Sequence, residues 1–231
     1  MVMTLLALAL LIGVAQDASQ QQQAQQQQAQ QQQAPQQAPR QLPIVMPPMA
    51  PEVTGTAEQL MLSPIYGSPF VCSEHWMDQL PYSGDALGTD CMVTGGIEEQ
   101  GFMALYRTDG ATNADWYGWE APVLAPISGE VVGLLVKDDV NTPGTMGRPP
   151  AAMLQIRSDD GIMVVLAHVA HPLVAKGDRV AAGQVIAQVG NNGMARAPHI
   201  HVGAWRDSDA MPLQIRWDQR AMAALYAEPG E

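Results

Sequence analysis

The chain has 231 residues, of which 15% are charged, and a formal net charge of -12 at pH 7. Ten of the eleven Lys and Arg residues lie beyond position 100, and they form no basic arm or stripe. This charge distribution argues against nucleic acid as a partner, because nucleic-acid-binding proteins carry a basic patch that contacts phosphates.

The first fifteen residues, 1–15, form an apolar run that ends in small residues. Gly13 and Ala15 stand three positions and one position before a plausible cleavage at Gln16. This pattern is typical of a secretory signal peptide, and the run is shorter than the about 20 apolar residues of a transmembrane helix. We therefore expect an exported protein, periplasmic or extracellular. The run contains no Lys or Arg, so contact with a membrane through an uncleaved segment is the alternative.

Residues 16–51 are mostly Gln, Ala and Pro, which predicts a disordered linker because they offer too little apolar surface to fold. Residues 52–100 are rich in turn formers and predict an irregular N-terminal part of the domain. Within them, Thr56 could cap a short helix that ends at Leu62. Cys72 and Cys91 could form a disulfide in an exported protein, with two free thiols as the alternative.

Residues 101–231 change to short β-type runs separated by Gly, Pro and Asp. This texture predicts an all-β fold, a compact antiparallel sheet or sandwich. Ser158–Gly161 has the sequence of a tight hairpin turn. The expected strands are 102–107, 122–125, 130–137, 153–158, 162–168, 184–189 and 199–205, with a helix near 218–227.

Three histidines occur in or at the end of expected strands. Residues two apart share one face of a strand, so His199 and His201 should point the same way. His168 ends the apolar run 162–168. A solvated strand face for the pair, and a packing role for His168, are the alternatives to a functional site.

The segment 164–205 resembles the lysostaphin-type, LytM-like family of peptidoglycan metallo-endopeptidases. The family pattern V-x-x-G-D-x-V-x-x-G-Q-x-I-x-x-V-G-x-x-G matches Val174 to Gly193, and the H-x-H that follows matches His199 and His201. The resemblance implies a fold of the duplicated hybrid motif type, zinc as the cofactor and hydrolysis of peptide bonds. It also implies peptidoglycan or its stem peptides as the partner.

The earlier part of the family pattern, H-x-x-x-D, is only half present. Asp115 fits the aspartate, but Ala111 stands where the family has a zinc-binding histidine. The resemblance therefore implies Asp115 and His201 as zinc ligands. It implies that His168 and His199 act on the attacking water and the developing oxyanion. The candidates for the missing ligand are Asp109, Asn113, His75 and His171.

These observations favour a secreted zinc metallo-endopeptidase of the bacterial cell wall that uses zinc-activated water as its nucleophile. A catalytically degenerate relative, which binds the wall or regulates another wall hydrolase, is the alternative that Ala111 motivates. A biotinyl or lipoyl carrier shares the V-x-x-G-D-x-V-x-x-G-Q segment. Such carriers modify a lysine on an exposed turn, and Lys137 and Lys176 are not in a suitable turn.

Overall fold

The computed structural model describes residues 46–76 and 79–226. The predicted signal peptide, residues 1–15, and most of the predicted linker lie outside the described residues. Residues 46–51, the end of that linker, contact the domain: Met49 pairs with Tyr82, and the Ala50 amide donates to the Pro81 carbonyl at 2.8 Å. None of the helices in the described part has the length and apolar character needed to cross a membrane.

Short strands account for most of the regular structure, and the described residues contain twelve of them with two short α-helices. In chain order the elements are β1 (Gln59–Leu62), β2 (Phe70–Glu74), β3 (Thr89–Val93), α1 (Ile97–Gln100), a 3-10 turn (Asn113–Asp115), β4 (Pro122–Leu124), β5 (Gly129–Leu135), β6 (Met153–Arg157), β7 (Ile162–Ala167), β8 (Val169–Ala170), β9 (Arg179–Val180), β10 (Val185–Val189), β11 (Ile200–Arg206), β12 (Gln214–Trp217) and α2 (Gln219–Tyr226).

The strands form three sheets. The largest has the order β2-β3-β11-β7-β6-β5-β9 and is antiparallel throughout. A second, antiparallel sheet has the order β4-β10-β8, and β1 pairs with β12 in parallel. The predicted all-β class is confirmed. Strand β7, which ends just before His168, and strand β11, which follows His199 and contains His201, are neighbours in the largest sheet.

Strands β7 and β11 form the centre of the core and are buried on both faces. On one face, Leu166 and Val202 are fully buried against the second sheet's side chains. On the other face, Val165 packs with Trp205 in a smaller cluster, and the backbone at Gly84 lies directly over both side chains. A chain segment therefore covers the face that simple alternation would leave in water.

Six of the expected strands contain an observed strand, with ends shifted by a few residues. The expected strand 102–107 is absent from the described structure, because Ala104 and Tyr106 make only isolated bridges. The helix expected from Thr56 to Leu62 is also wrong. Its last four residues form β1 instead, where exposed Met61 and buried Leu62 alternate and the segment pairs with β12.

The region 52–100, expected to be irregular, contains β1, β2 and β3. The predicted disulfide is confirmed, since Cys72 in β2 is bonded to Cys91 in β3. The two cysteines are directly opposite each other in the strand register. The bond therefore fixes β2 to β3, and β3 in turn pairs with β11.

Replacing both Cys72 and Cys91 with alanine should lower the free energy of unfolding by about 3 kcal/mol, because the bond closes a loop of about 20 residues in the unfolded chain. Equilibrium urea unfolding, followed by tryptophan fluorescence, measures this change. The wild-type chain in excess dithiothreitol is the matched control and should unfold like the double variant. A difference between oxidised wild type and variant below about 0.5 kcal/mol would contradict the prediction.

Candidate active site

The core of the candidate site is a pair of residues that lie opposite each other on two neighbouring strands. His201 in β11 lies directly opposite Asp90 in β3. Nδ1 of His201 is 3.0 Å from Oδ1 of Asp90. Gly88, just before β3, allows this arrangement because a β-carbon there would lie 2.7 Å from Cε1 of His201.

A second histidine, His75, follows β2 directly and completes the group. Its backbone amide donates to the Gly88 carbonyl at 2.8 Å. Its Nε2 lies 3.5 Å from Oδ2 of Asp90, and its ring stacks on that of His201 at 5.1 Å. His75, Asp90 and His201 offer donor atoms within 4.8 Å of one another. Among the described residues they form the one group of three His, Cys, Asp or Glu side chains that could hold a metal ion.

The outer hydrogen bonds determine which ring nitrogens carry hydrogen. Nδ1 of His75 contacts the Asp85 carbonyl at 3.0 Å, so it must donate. Nε2 of His201 contacts the Gly84 carbonyl at 3.0 Å and the Asp85 carboxylate at 3.2 Å, so it also donates. In the neutral rings the lone pairs of both histidines therefore face Asp90. Lone pairs that face a carboxylate require a cation between them, either a proton or a metal.

The pKa shifts of His201, His75 and Asp90 also favour a positive charge between the two rings and the carboxylate. Burial alone would lower the pKa of His201, but hydrogen bonds to Asp85 and Asp90 and their charges raise it to about 10. The hydrogen bond to Asp90 raises the pKa of His75 despite partial burial. Burial opposes ionisation of Asp90, yet its hydrogen bonds to His201 and His75 hold its pKa well below its usual range.

This donor set fits a zinc ion. Catalytic zinc is usually held by three protein ligands, drawn from His, Asp, Glu and Cys, with one position open for water. Two donors bound tetrahedrally at about 2.1 Å lie about 3.4 Å apart. The nitrogen-to-oxygen distances of 3.0 Å at His201 and 3.5 Å at His75 are close to that separation.

The other two predicted site histidines lie beside this group. Nε2 of His199 is 3.7 Å from Oδ1 of Asp90, and the His168 and His199 rings are 4.5 Å apart. Nδ1 of His168 donates to the Asn192 carbonyl at 2.7 Å, and Nδ1 of His199 donates to the Ala197 carbonyl at 2.8 Å. Each ring is thus left with an acceptor at Nε2.

Burial keeps these two imidazoles neutral. It lowers the pKa of His168 to about 3, and a positive charge on His199 or His201 would act in the same direction. Burial also lowers the pKa of His199, although the charge of Asp90 opposes the shift. Neutral rings with a free Nε2 can accept a proton. The catalytic roles assigned to His168 and His199 stay predictions.

Asp115, the expected zinc ligand, lies outside the His/Asp/His group. It ends the 3-10 turn, and its carboxylate accepts hydrogen bonds from the Thr108 amide at 2.9 Å, the Thr108 hydroxyl at 3.0 Å and the Gly110 amide at 2.5 Å. These bonds stabilise the 108–115 turn and use the oxygens that a metal would need. The carboxylate beside His201 belongs to Asp90 instead.

The structure also separates the four candidates for the missing ligand. The Asn113 amide donates to the Asn141 carbonyl at 2.8 Å and accepts from Asn191. Asp109 accepts from a neighbouring amide in its own turn, and His171 is exposed. His75 alone joins the group.

The sequence pattern alone could not distinguish Asp90 from Asp115 as the family's aspartate. Ala86 stands four residues before Asp90, as Ala111 stands four residues before Asp115. The pattern H-x-x-x-D, with alanine in the first place, therefore occurs twice. No sequence signal pointed to Asp85, whose importance depends on contacts with His75 and His201 from different strands.

The solved structures to which this chain is similar include several peptidases. A single-residue mutant of the catalytic domain of EnpA, a prophage-encoded M23 protein from Enterococcus faecalis, is 20% identical over 65% of this chain and 91% of that chain, with a TM-score of 0.41. The catalytic domain of lysostaphin from Staphylococcus simulans is 21% identical over 65% of this chain and 85% of that one, with a TM-score of 0.35. A zinc-containing peptidase from Vibrio cholerae is 17% identical over 64% of this chain but only 38% of its own length, with a TM-score of 0.37.

A search of curated proteins found no match. A sequence model does match: the model of peptidase family M23 covers residues 117–212. The matched segment contains His168, His199 and His201, whereas His75 and Asp90 precede it. The resemblance to the lysostaphin-type family is confirmed, because residues 117–212 of this chain match the model of peptidase family M23.

Proposed function

We propose that this protein is a zinc endopeptidase that hydrolyses peptide bonds of the bacterial cell wall. The observation that carries the proposal is the arrangement of two sets of side chains around Asp90. The donors of His75 and His201 converge on its carboxylate, and the neutral His199 lies 3.7 Å from the same oxygen with His168 behind it. A group that could bind a metal and a pair of neutral imidazoles thus lie side by side.

The proposed chemistry is peptide hydrolysis by water. Zinc held by His75, Asp90 and His201 would supply a Lewis acid that polarises the scissile carbonyl and makes water a nucleophile near neutral pH. Nε2 of His168 or His199 takes the proton of the attacking water and returns it to the leaving amine. Burial favours this return, because a desolvated imidazole releases an added proton readily.

Fixed backbone acceptors hold the two proton-accepting rings in place. The Asn192 carbonyl orients His168, and the Asn192 side chain is itself tied to the Ala152 amide at 2.7 Å and the Val169 carbonyl at 3.0 Å. The Ala197 carbonyl orients His199. Pre-oriented groups of this kind reduce the reorganisation that the reaction requires.

The cell wall as substrate and an exported location are parts of the proposal supported by the sequence. The apolar run at residues 1–15 has the form of a signal peptide. The Cys72–Cys91 disulfide is consistent with an oxidising compartment, where such bonds persist. The substrate class follows from the resemblance to lysostaphin-type enzymes.

The full chain should bind one equivalent of zinc, and alanine at His75, Asp90 or His201 should weaken binding by more than about 100-fold, because each change removes a direct ligand. Competition with a chromogenic chelator measures the affinity. Asp115→Ala is the matched control and should bind zinc like the wild type. Loss of zinc in Asp115→Ala but not in Asp90→Ala would reverse the assignment of the carboxylate ligand.

Alanine at His168 or His199 should leave zinc binding in place and lower the rate of peptidoglycan cleavage about 100-fold to 10,000-fold, the usual contribution of a general acid or base. Release of new amino groups from purified peptidoglycan measures cleavage, with a chelator-treated sample as the blank. A wild-type chain that binds zinc and wall material but releases no fragments would instead identify a catalytically degenerate wall-binding protein.

A further inference from the structure

We infer that Asp85 is a positioning residue that prepares both ligand histidines for the metal. The inference rests on the proposed function, since it concerns how His75 and His201 hold zinc. Asp85 lies in the segment between β2 and β3, outside the segment that matches the family. It contacts both histidines on the nitrogens that face away from Asp90.

The two contacts come from different parts of the same residue. The backbone carbonyl of Asp85 accepts from Nδ1 of His75 at 3.0 Å, and its carboxylate lies 3.2 Å from Nε2 of His201. Together with the Gly84 carbonyl, which lies 3.0 Å from Nε2 of His201, these contacts place hydrogen on the outer nitrogens and leave the lone pairs on the inner ones. Outer partners of this kind fix the tautomer and orientation of metal-binding histidines and make them better donors.

Asp85 is not itself a fourth ligand of the same metal. The two nitrogens of an imidazole point in different directions, and Asp90 contacts Nδ1 of His201 whereas Asp85 contacts Nε2. A metal bound at Nδ1 is therefore on the other side of the ring from the Asp85 carboxylate.

The charge of Asp85 adds to its effect. A zinc ion carries two positive charges, and Asp90 with two neutral histidines offsets only one of them. The Asp85 carboxylate offsets the second positive charge through its contact with Nε2 of His201, whose side chain is buried. An uncompensated charge in such a place is costly, so the carboxylate stabilises the loaded site.

The fold holds Asp85 in position through the strand that carries His201. A β-carbon at Gly203 in β11 would overlap the Gly84 carbonyl, so the backbone before Asp85 packs directly on that strand. On the other side, the Ser83 amide donates to the Pro48 carbonyl at 2.8 Å, and the Ser83 hydroxyl donates to the Ala210 carbonyl at 2.6 Å. The backbone from which the Asp85 side chain extends is thus held against the strand of His201.

Zinc affinity of the full chain, measured by competition with a chromogenic chelator, tests the inference. Asp85→Ala should weaken zinc binding by about 10-fold to 100-fold, the usual effect of losing an outer partner. Asp85→Asn should lose less, because its amide oxygen can still accept from Nε2 of His201. Asp160→Ala, an exposed change in the turn at the opposite end of β7 from His168, is the control and should match the wild type.

Two further measurements separate positioning from folding and from direct ligation. Urea unfolding of the metal-free variants should show that Asp85→Ala folds. Heteronuclear NMR of the imidazole nitrogens should find hydrogen on Nε2 of His201 in the zinc-loaded wild type. Three results would overturn the inference. The first is hydrogen on Nδ1 of His201 instead of Nε2, and the second is a second equivalent of bound zinc that disappears in Asp85→Ala. The third is a zinc affinity of Asp85→Ala within about threefold of the wild type. Absence of any zinc binding by the wild type would overturn the proposed function with it.

Discussion

The contact between His201 and Asp90 is the interaction on which the rest of the site depends. It forms because β3 pairs with β11 in a register that places these two residues directly opposite each other. A shift of one residue would turn one of the side chains to the other face of the sheet. The Cys72–Cys91 bond lies next to Asp90 and joins β3 to β2, so it also fixes the strand after which His75 emerges.

The contact between Nδ1 of His201 and Asp90 would be unfavourable if that nitrogen carried only its lone pair, because the lone pair and the carboxylate oxygen repel each other. The surrounding acceptors at Gly84 and Asp85 already hold the hydrogen of the outer nitrogen of His201. The inner nitrogen is therefore placed to take up a proton or a metal ion, and the same contacts with Asp85 and Asp90 raise the pKa of His201 despite its burial. His168 and His199 differ because carbonyls orient them while burial keeps their pKa values low. The five titratable groups thus form two sets. His75, Asp90 and His201 are arranged around a place for a cation, and His168 and His199 are neutral imidazoles that can accept a proton.

The sequence predicted the half of the site that lies on continuous, strongly apolar strands. His168, His199 and His201 sit at or within β7 and β11, where local pattern and family motif agree. The other half depends on which distant segment pairs with β11, and no local pattern determines that pairing. Two segments carry the aspartate of the motif with alanine in place of the histidine, and the one chosen from the sequence, at Asp115, forms a self-contained turn. The short strands β2 and β3 were missed because glycine and aspartate surround them.

His75 reaches Asp90 from a part of the chain in which the family pattern places no histidine. The family pattern expects a histidine four residues before the aspartate, and Ala86 occupies that place before Asp90. His75 comes instead from the end of the neighbouring strand, and its Nε2 still lies 3.5 Å from Asp90. Gly88 lies close to the His201 ring, and Asp85, three residues earlier, contacts both histidines. Because His75 follows β2 and His201 lies in β11, the segment before β3 lies beside both rings, and a single residue in that segment contacts both of them.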